Sequence, residues 1–118
     1  MSEFTIYHNP RCSKSRETLA LLEQHGANPH VIEYLKTPPT AAELETIIAR
    51  LGIEPEQLVR KGEAVYKSSF ADQSLTGAQW IEAMVANPVL IERPIVLKGD
   101  RAVLGRPPEN VKTLFRDA

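Results

Sequence analysis

The chain has 118 residues, 42% apolar and 25% charged, with a formal net charge of −1. Residues 1–118 read as a single domain without a membrane span, and the near-neutral charge offers no basic face for nucleic acid. The opening Met1-Ser2-Glu3-Phe4 lacks the basic start of a signal peptide, so a cytoplasmic location is expected, and the one cysteine, Cys12, excludes both an internal disulfide and a cysteine-built zinc site.

Phe4-Thr5-Ile6-Tyr7 predicts a short strand, stopped by the turn residues His8-Asn9-Pro10. From Ser13 to His25 the pattern is helical, with Leu19 and Leu22, supported by Thr18 and Leu21, on one side and Gly26 as the stop. His30 to Tyr34 is a second strand. Its distance from the first suits a parallel crossover through the helix. Thr40 and Glu43 form a capping box before a helix whose apolar stripe is Leu44, Ile47, Ile48 and Leu51, ended by Gly52. Pro55 opens a short helix to about Arg60. Thr76 and Gln79 repeat the box, flanked by the staple pair Leu75 and Trp80, and predict a helix from Gly77 to Ala86. Ile95-Val96-Leu97 and Ala102-Val103-Leu104 flank Lys98-Gly99-Asp100-Arg101 as an antiparallel hairpin, and a last helix follows Pro108. This order suggests an α/β fold: a thioredoxin-like four-stranded mixed sheet with flanking helices and a helical insert between its halves.

The chemistry concentrates in Asn9-Pro10-Arg11-Cys12-Ser13-Lys14-Ser15-Arg16, between the first strand and the first helix. A cysteine at a helix start meets free N–H groups and the positive end of the helix dipole. Arg11, Lys14, Arg16 and His8 add positive charge nearby. Each effect favours the thiolate, and the same N–H groups suit an incoming oxyanion. Nucleophile and anion cradle therefore share one loop.

These residues, and others along nearly the whole chain, resemble the glutaredoxin-coupled arsenate reductase family. The likeness rests on Ile6-Tyr7-His8-Asn9-Pro10, Cys12, Ser15-Arg16 and Thr18-Leu19, then Tyr34-Leu35 with Pro38-Pro39 and Leu58-Val59-Arg60-Lys61. It continues through Asn87 to Ile91, Arg93-Pro94-Ile95-Val96 and Gly105-Arg106-Pro107. The loop Cys12-Ser13-Lys14-Ser15 resembles a less characterised subgroup. The resemblance implies that Cys12 attacks arsenate, that His8 helps keep it ionised, and that Arg60, Arg93 and Arg106, with Ser15 and Arg16 of the loop, hold the anion. It further implies no bound cofactor or metal, with glutathione and glutaredoxin as external reductants. Thioredoxin-like proteins carry a cis proline before the third strand, so Arg93-Pro94 is expected to be cis, with Arg93 and Arg106 converging on Cys12.

Two other functions share parts of this pattern. Related regulators that bind RNA polymerase sense oxidation through a Cys-x-x-Cys switch, but Ser15 stands at the second cysteine's position here. A monothiol glutaredoxin-like protein needs a peptide-like groove for glutathione, whereas three arginines suit a tetrahedral anion.

Overall fold

The computed structural model describes residues 3–115. They form two compact units, one made of residues 3–37 and 93–115, the other of Pro38–Glu92.

The first unit carries strands β1 (Phe4–His8), β2 (His30–Glu33), β3 (Ile95–Lys98) and β4 (Arg101–Leu104), helix α1 (Ser13–Gln24), and a closing 3-10 helix over Pro108–Phe115. The sheet order is β2-β1-β3-β4. β1 runs parallel to β2 and antiparallel to β3, pairing Tyr7 with Ile32 on one side and with Ile95 on the other. This is the mixed, thioredoxin-like sheet implied by the element order. The β3–β4 pairing extends to Lys98 opposite Arg101, so the turn itself is only Gly99-Asp100. Gly99 has φ +59, a left-handed conformation that costs glycine little.

On one face of the sheet, Phe4, Ile6 and Val96 are buried with Leu22 of α1 and with Val111 and Leu114 of the last helix. Phe115 stacks on Phe4 at 4.9 Å between ring centroids. α1 keeps Thr18 and Leu22 of its expected stripe and departs from it elsewhere. Its buried residues are Ser15, Thr18 and Leu22, while Leu19 is only partly buried. Two polar side chains take core positions because each finds a hydrogen-bond partner: Ser15 pairs with His8, and the Thr18 hydroxyl donates to the Lys14 carbonyl at 2.7 Å. The final segment is helical, as the pattern implied, but in the tighter 3-10 form.

The second unit is helical: α2 (Ala41–Leu51), a 3-10 turn at Pro55–Leu58, α3 (Ala64–Ser69), α4 (Gly77–Ala86) and a 3-10 turn at Pro88–Leu90. Both capping boxes form, through Thr40 with Glu43 and Thr76 with Gln79. Leu44, Ile47, Ile48, Trp80, Ile81 and Met84 supply its buried apolar side chains from α2 and α4. The Arg60 N–H donates to the Leu90 carbonyl at 2.7 Å, and the Glu92 N–H donates to the Leu58 carbonyl at 2.8 Å. These two bonds lay Arg60 beside Glu92.

At the end of β4, Gly105 sits where no side chain fits. A Cβ there would lie 2.6 Å from Thr18 Oγ1, 2.8 Å from Pro94 Cγ and 2.9 Å from Thr18 Cγ2. Thr18 is fully buried and the proline ring is rigid, so neither yields cheaply. Gly105→Ala is expected to destabilise the protein by about 1–3 kcal/mol through overpacking, read as a lower denaturant midpoint. An unchanged midpoint would show that this close approach relaxes freely.

Candidate active site

The Cys12 loop is built by local bonds. Asn9 Oδ1 accepts the Arg11 N–H at 3.0 Å, and its carbonyl accepts the Cys12 N–H at 3.0 Å, an arrangement that asparagine favours in turns. The Cys12 carbonyl then accepts the Arg16 N–H at 3.0 Å and opens α1. Cys12 is thus the N-cap residue, with extended backbone at φ −95 and ψ 123. Arg16 Nη1 donates to the Pro10 carbonyl at 3.0 Å and ties the loop's two ends together.

The Cys12 side chain is partly buried. As a thiol it caps no backbone group, but as a thiolate it gains several donors. Burial alone pushes its pKa up. The backbone N–H of Ser15, the hydrogen bond and charge of Arg93, and the N–H of Lys14 outweigh that, so the pKa lies below the ordinary thiol value. These donors sit on the helix start and on the segment entering β3. The sulfur is therefore set between two elements that are far apart in sequence.

Arg93 approaches the sulfur from a cis Arg93-Pro94 peptide, as the resemblance implied. Its Nε and Nη1 atoms are buried. Arg106 Nη1 donates to the Arg93 carbonyl at 3.2 Å, which brings the second arginine to the same end of the sheet. Arg106-Pro107 is also cis, a feature for which sequence reasoning had no specific signal beyond the repeated Arg-Pro pair.

His8 and Ser15 lie beneath the loop. His8 Nδ1 and Ser15 Oγ are 2.6 Å apart, and the Asn9 N–H donates to the same hydroxyl at 3.0 Å. Burial lowers the His8 pKa, Glu33 opposes that, and Arg16 adds to it, for a net value below the ordinary one. That shift works against a positive charge on the ring. Ser15 is fully buried with its hydroxyl occupied by these partners, so what it offers the sulfur is its backbone N–H. Arg60 lies in the second unit, where Nε pairs with Glu63 at 3.2 Å and Nη1 with Glu92 at 2.7 Å. Glu63 is visible in sequence three residues on. Glu92 gave no signal, because only the crossing of two distant segments brings it there.

Among the described residues no cluster of three or more His, Cys, Asp or Glu side chains is placed to hold a metal ion, and no helix is long and apolar enough to cross a membrane.

The model of the ArsC family matches residues 7–114, from the end of β1 to the last helix. The chain belongs to the ArsC family. Among relatives, an arsenate reductase of Haemophilus influenzae is 48% identical over 108 residues, covering 90% of this chain and 91% of that protein. An Escherichia coli K12 protein described as uncharacterized is 52% identical over 108 residues, covering 90% of this chain and 91% of the relative. The solved structure of an arsenate reductase from Vibrio cholerae superposes with a TM-score of 0.89 at 47% identity, covering 93% of this chain and 95% of that one. In this ArsC-family chain the loop, the Arg93 segment and the Arg106 segment all fall inside the matched region.

Proposed function

We propose that this protein is an arsenate reductase in which Cys12 is the nucleophile, and the observation that carries the reading is the Arg93 guanidinium on the sulfur of an N-cap cysteine. A thiolate and an arsenate anion repel each other. A guanidinium beside the sulfur offsets that repulsion, and its planar donor fork matches the oxygens of a tetrahedral anion. Arg106, bonded to the Arg93 carbonyl, adds a second fork at the same place. By resemblance Arg60 is the third arginine, and Arg16 and Ser15 belong to the anion-holding loop.

In the reaction, the Cys12 thiolate forms a sulfur–arsenic bond as a protonated arsenate oxygen leaves as water. Arsenic is still pentavalent at that point. Its reduction takes two electrons, and Cys12, the only cysteine in the chain, cannot supply them by pairing with a second internal thiol. Two external thiols, glutathione and then glutaredoxin, provide the pair and end as a disulfide, releasing arsenite and regenerating Cys12. The protein itself needs no metal or bound cofactor for these steps, and a cytoplasmic supply of reduced thiols suits them.

The test is arsenate-dependent oxidation of a nicotinamide cofactor, coupled through glutathione reductase, glutathione and glutaredoxin. Turnover is expected with all components and no multiple turnover when glutathione and glutaredoxin are omitted. Sustained turnover without any added thiol would overturn the external-reductant scheme, and no arsenate dependence at all would overturn the substrate.

A further inference from the structure

Thr18 lies one helical turn beyond Lys14 on the buried side of α1 and is fully inaccessible to solvent, so its hydroxyl cannot touch a substrate. Its position is nonetheless central. Oγ1 lies 2.7 Å from the Lys14 carbonyl oxygen and 3.4 Å from the Gly105 carbonyl oxygen. The first acceptor belongs to the peptide that joins Lys14 to Ser15, whose N–H stands at the third position of α1, where the side chain of an N-cap residue such as Cys12 meets the helix. The second acceptor belongs to the residue just before Arg106, whose guanidinium donates to the Arg93 carbonyl.

We propose that Thr18 is a positioning residue for the nucleophile, its hydroxyl orienting and polarising the Lys14–Ser15 peptide so that the Ser15 N–H is aimed at the Cys12 sulfur. A peptide whose carbonyl accepts a hydrogen bond is a stronger N–H donor, because the two ends of the amide polarise together. Threonine hydroxyls bond to the carbonyl four residues back in many helices, where the bond satisfies the hydroxyl and at most bends the helix slightly. Here the acceptor peptide is the one that meets the sulfur. The Thr18 methyl group also packs where a Gly105 Cβ would stand, which keeps the chain leading to Arg106 against α1. The proposal rests on Cys12 being the nucleophile of the preceding reading.

The experiment measures the ionisation midpoint of Cys12, by thiolate absorbance and by alkylation rate against pH, without arsenate or any reductant. The charged side chain that acts on the thiol is Arg93, from the segment entering β3; Arg11, Lys14 and Arg16 of the loop and α1, and His8 of β1, are its neighbours along the chain, and all are left intact. Thr18→Val removes the hydroxyl at nearly constant volume. It is expected to raise the midpoint by about half a pH unit, which lowers the alkylation rate below the midpoint about three-fold. Thr18→Ser is expected to restore the parent value. If Thr18→Val fails to fold, Thr18→Ser and Thr18→Ala make the same comparison, since they differ only in the hydroxyl. A midpoint that is the same with and without the hydroxyl, whatever happens to stability, would overturn the positioning role and leave the Cys12 reading standing. A parent midpoint no lower than that of an ordinary thiol would instead overturn the activated nucleophile itself.

Discussion

Cys12→Ser is expected to reduce arsenate-dependent turnover by on the order of a thousand-fold or more while leaving the fold intact. The substitution changes one atom, on a partly buried side chain at the helix start, so packing is hardly altered. The chemistry changes because a serine hydroxyl remains protonated where the cysteine ionises, and no donor set of this kind lowers an alcohol far enough. Circular dichroism and the thermal midpoint check the fold, and the coupled assay checks activity. Retention of even a tenth of the parent rate would overturn the covalent role. The pH dependence of the parent follows from the same donors. The Cys12 pKa is lowered, so the reactive form persists below the ordinary thiol range and kcat/KM falls only as pH drops through the lowered value. For stability, a depressed pKa in the folded state contributes above the unfolded-state value, and that contribution is lost as pH falls through the folded one.

Where the chain writes its boundaries in local chemistry, the fold is legible. Thr40 with Glu43 and Thr76 with Gln79 are complete caps in the sequence, and both helices begin where they say. Gly99-Asp100 between apolar alternations marks the hairpin, although the turn proved tighter than the four polar residues around it suggested. α3 was not anticipated, since its six residues bury none of their side chains and no side chain caps its start. A helix with neither stripe nor cap leaves no local pattern to read.

The α1 stripe shows a different limit. The periodicity pointed to Leu19 and Leu22 with Thr18 and Leu21 in support; Thr18 and Leu22 are buried, but so is Ser15, which no apolar pattern marks and which His8 makes tolerable. A buried polar residue such as Ser15 is invisible to a hydrophobic pattern, and in this chain its backbone N–H is one of the donors that lower the Cys12 thiol. The position of Cys12 at the helix start was legible from Pro10 and Asn9 before it. That Arg93 meets the sulfur depends on β1 pairing with β3, a contact between residues more than eighty positions apart, and only the family resemblance pointed to it.

Arg93→Ala is expected to lower kcat/KM by on the order of a hundred-fold to a thousand-fold. Two losses combine. The thiolate loses a hydrogen-bonded positive neighbour, so its pKa rises and less of the reactive form is present at neutral pH. The incoming anion loses the donor fork nearest the sulfur, which weakens capture and leaves charge uncompensated as the bond forms. Arg93→Lys separates the two losses, because an ammonium restores charge near the sulfur but cannot present paired donors in a plane. It is expected to recover much of the thiolate while leaving kcat/KM about ten-fold below the parent. Arg106→Ala should act more weakly and mainly through KM, since the structure bonds Arg106 to the Arg93 carbonyl. The measurements are the thiolate midpoint by absorbance and steady-state kinetics with arsenate, for each variant beside the parent. If Arg93→Ala left both the midpoint and kcat/KM within about two-fold of the parent, the guanidinium would be a bystander to the sulfur and the proposed site would have to be abandoned.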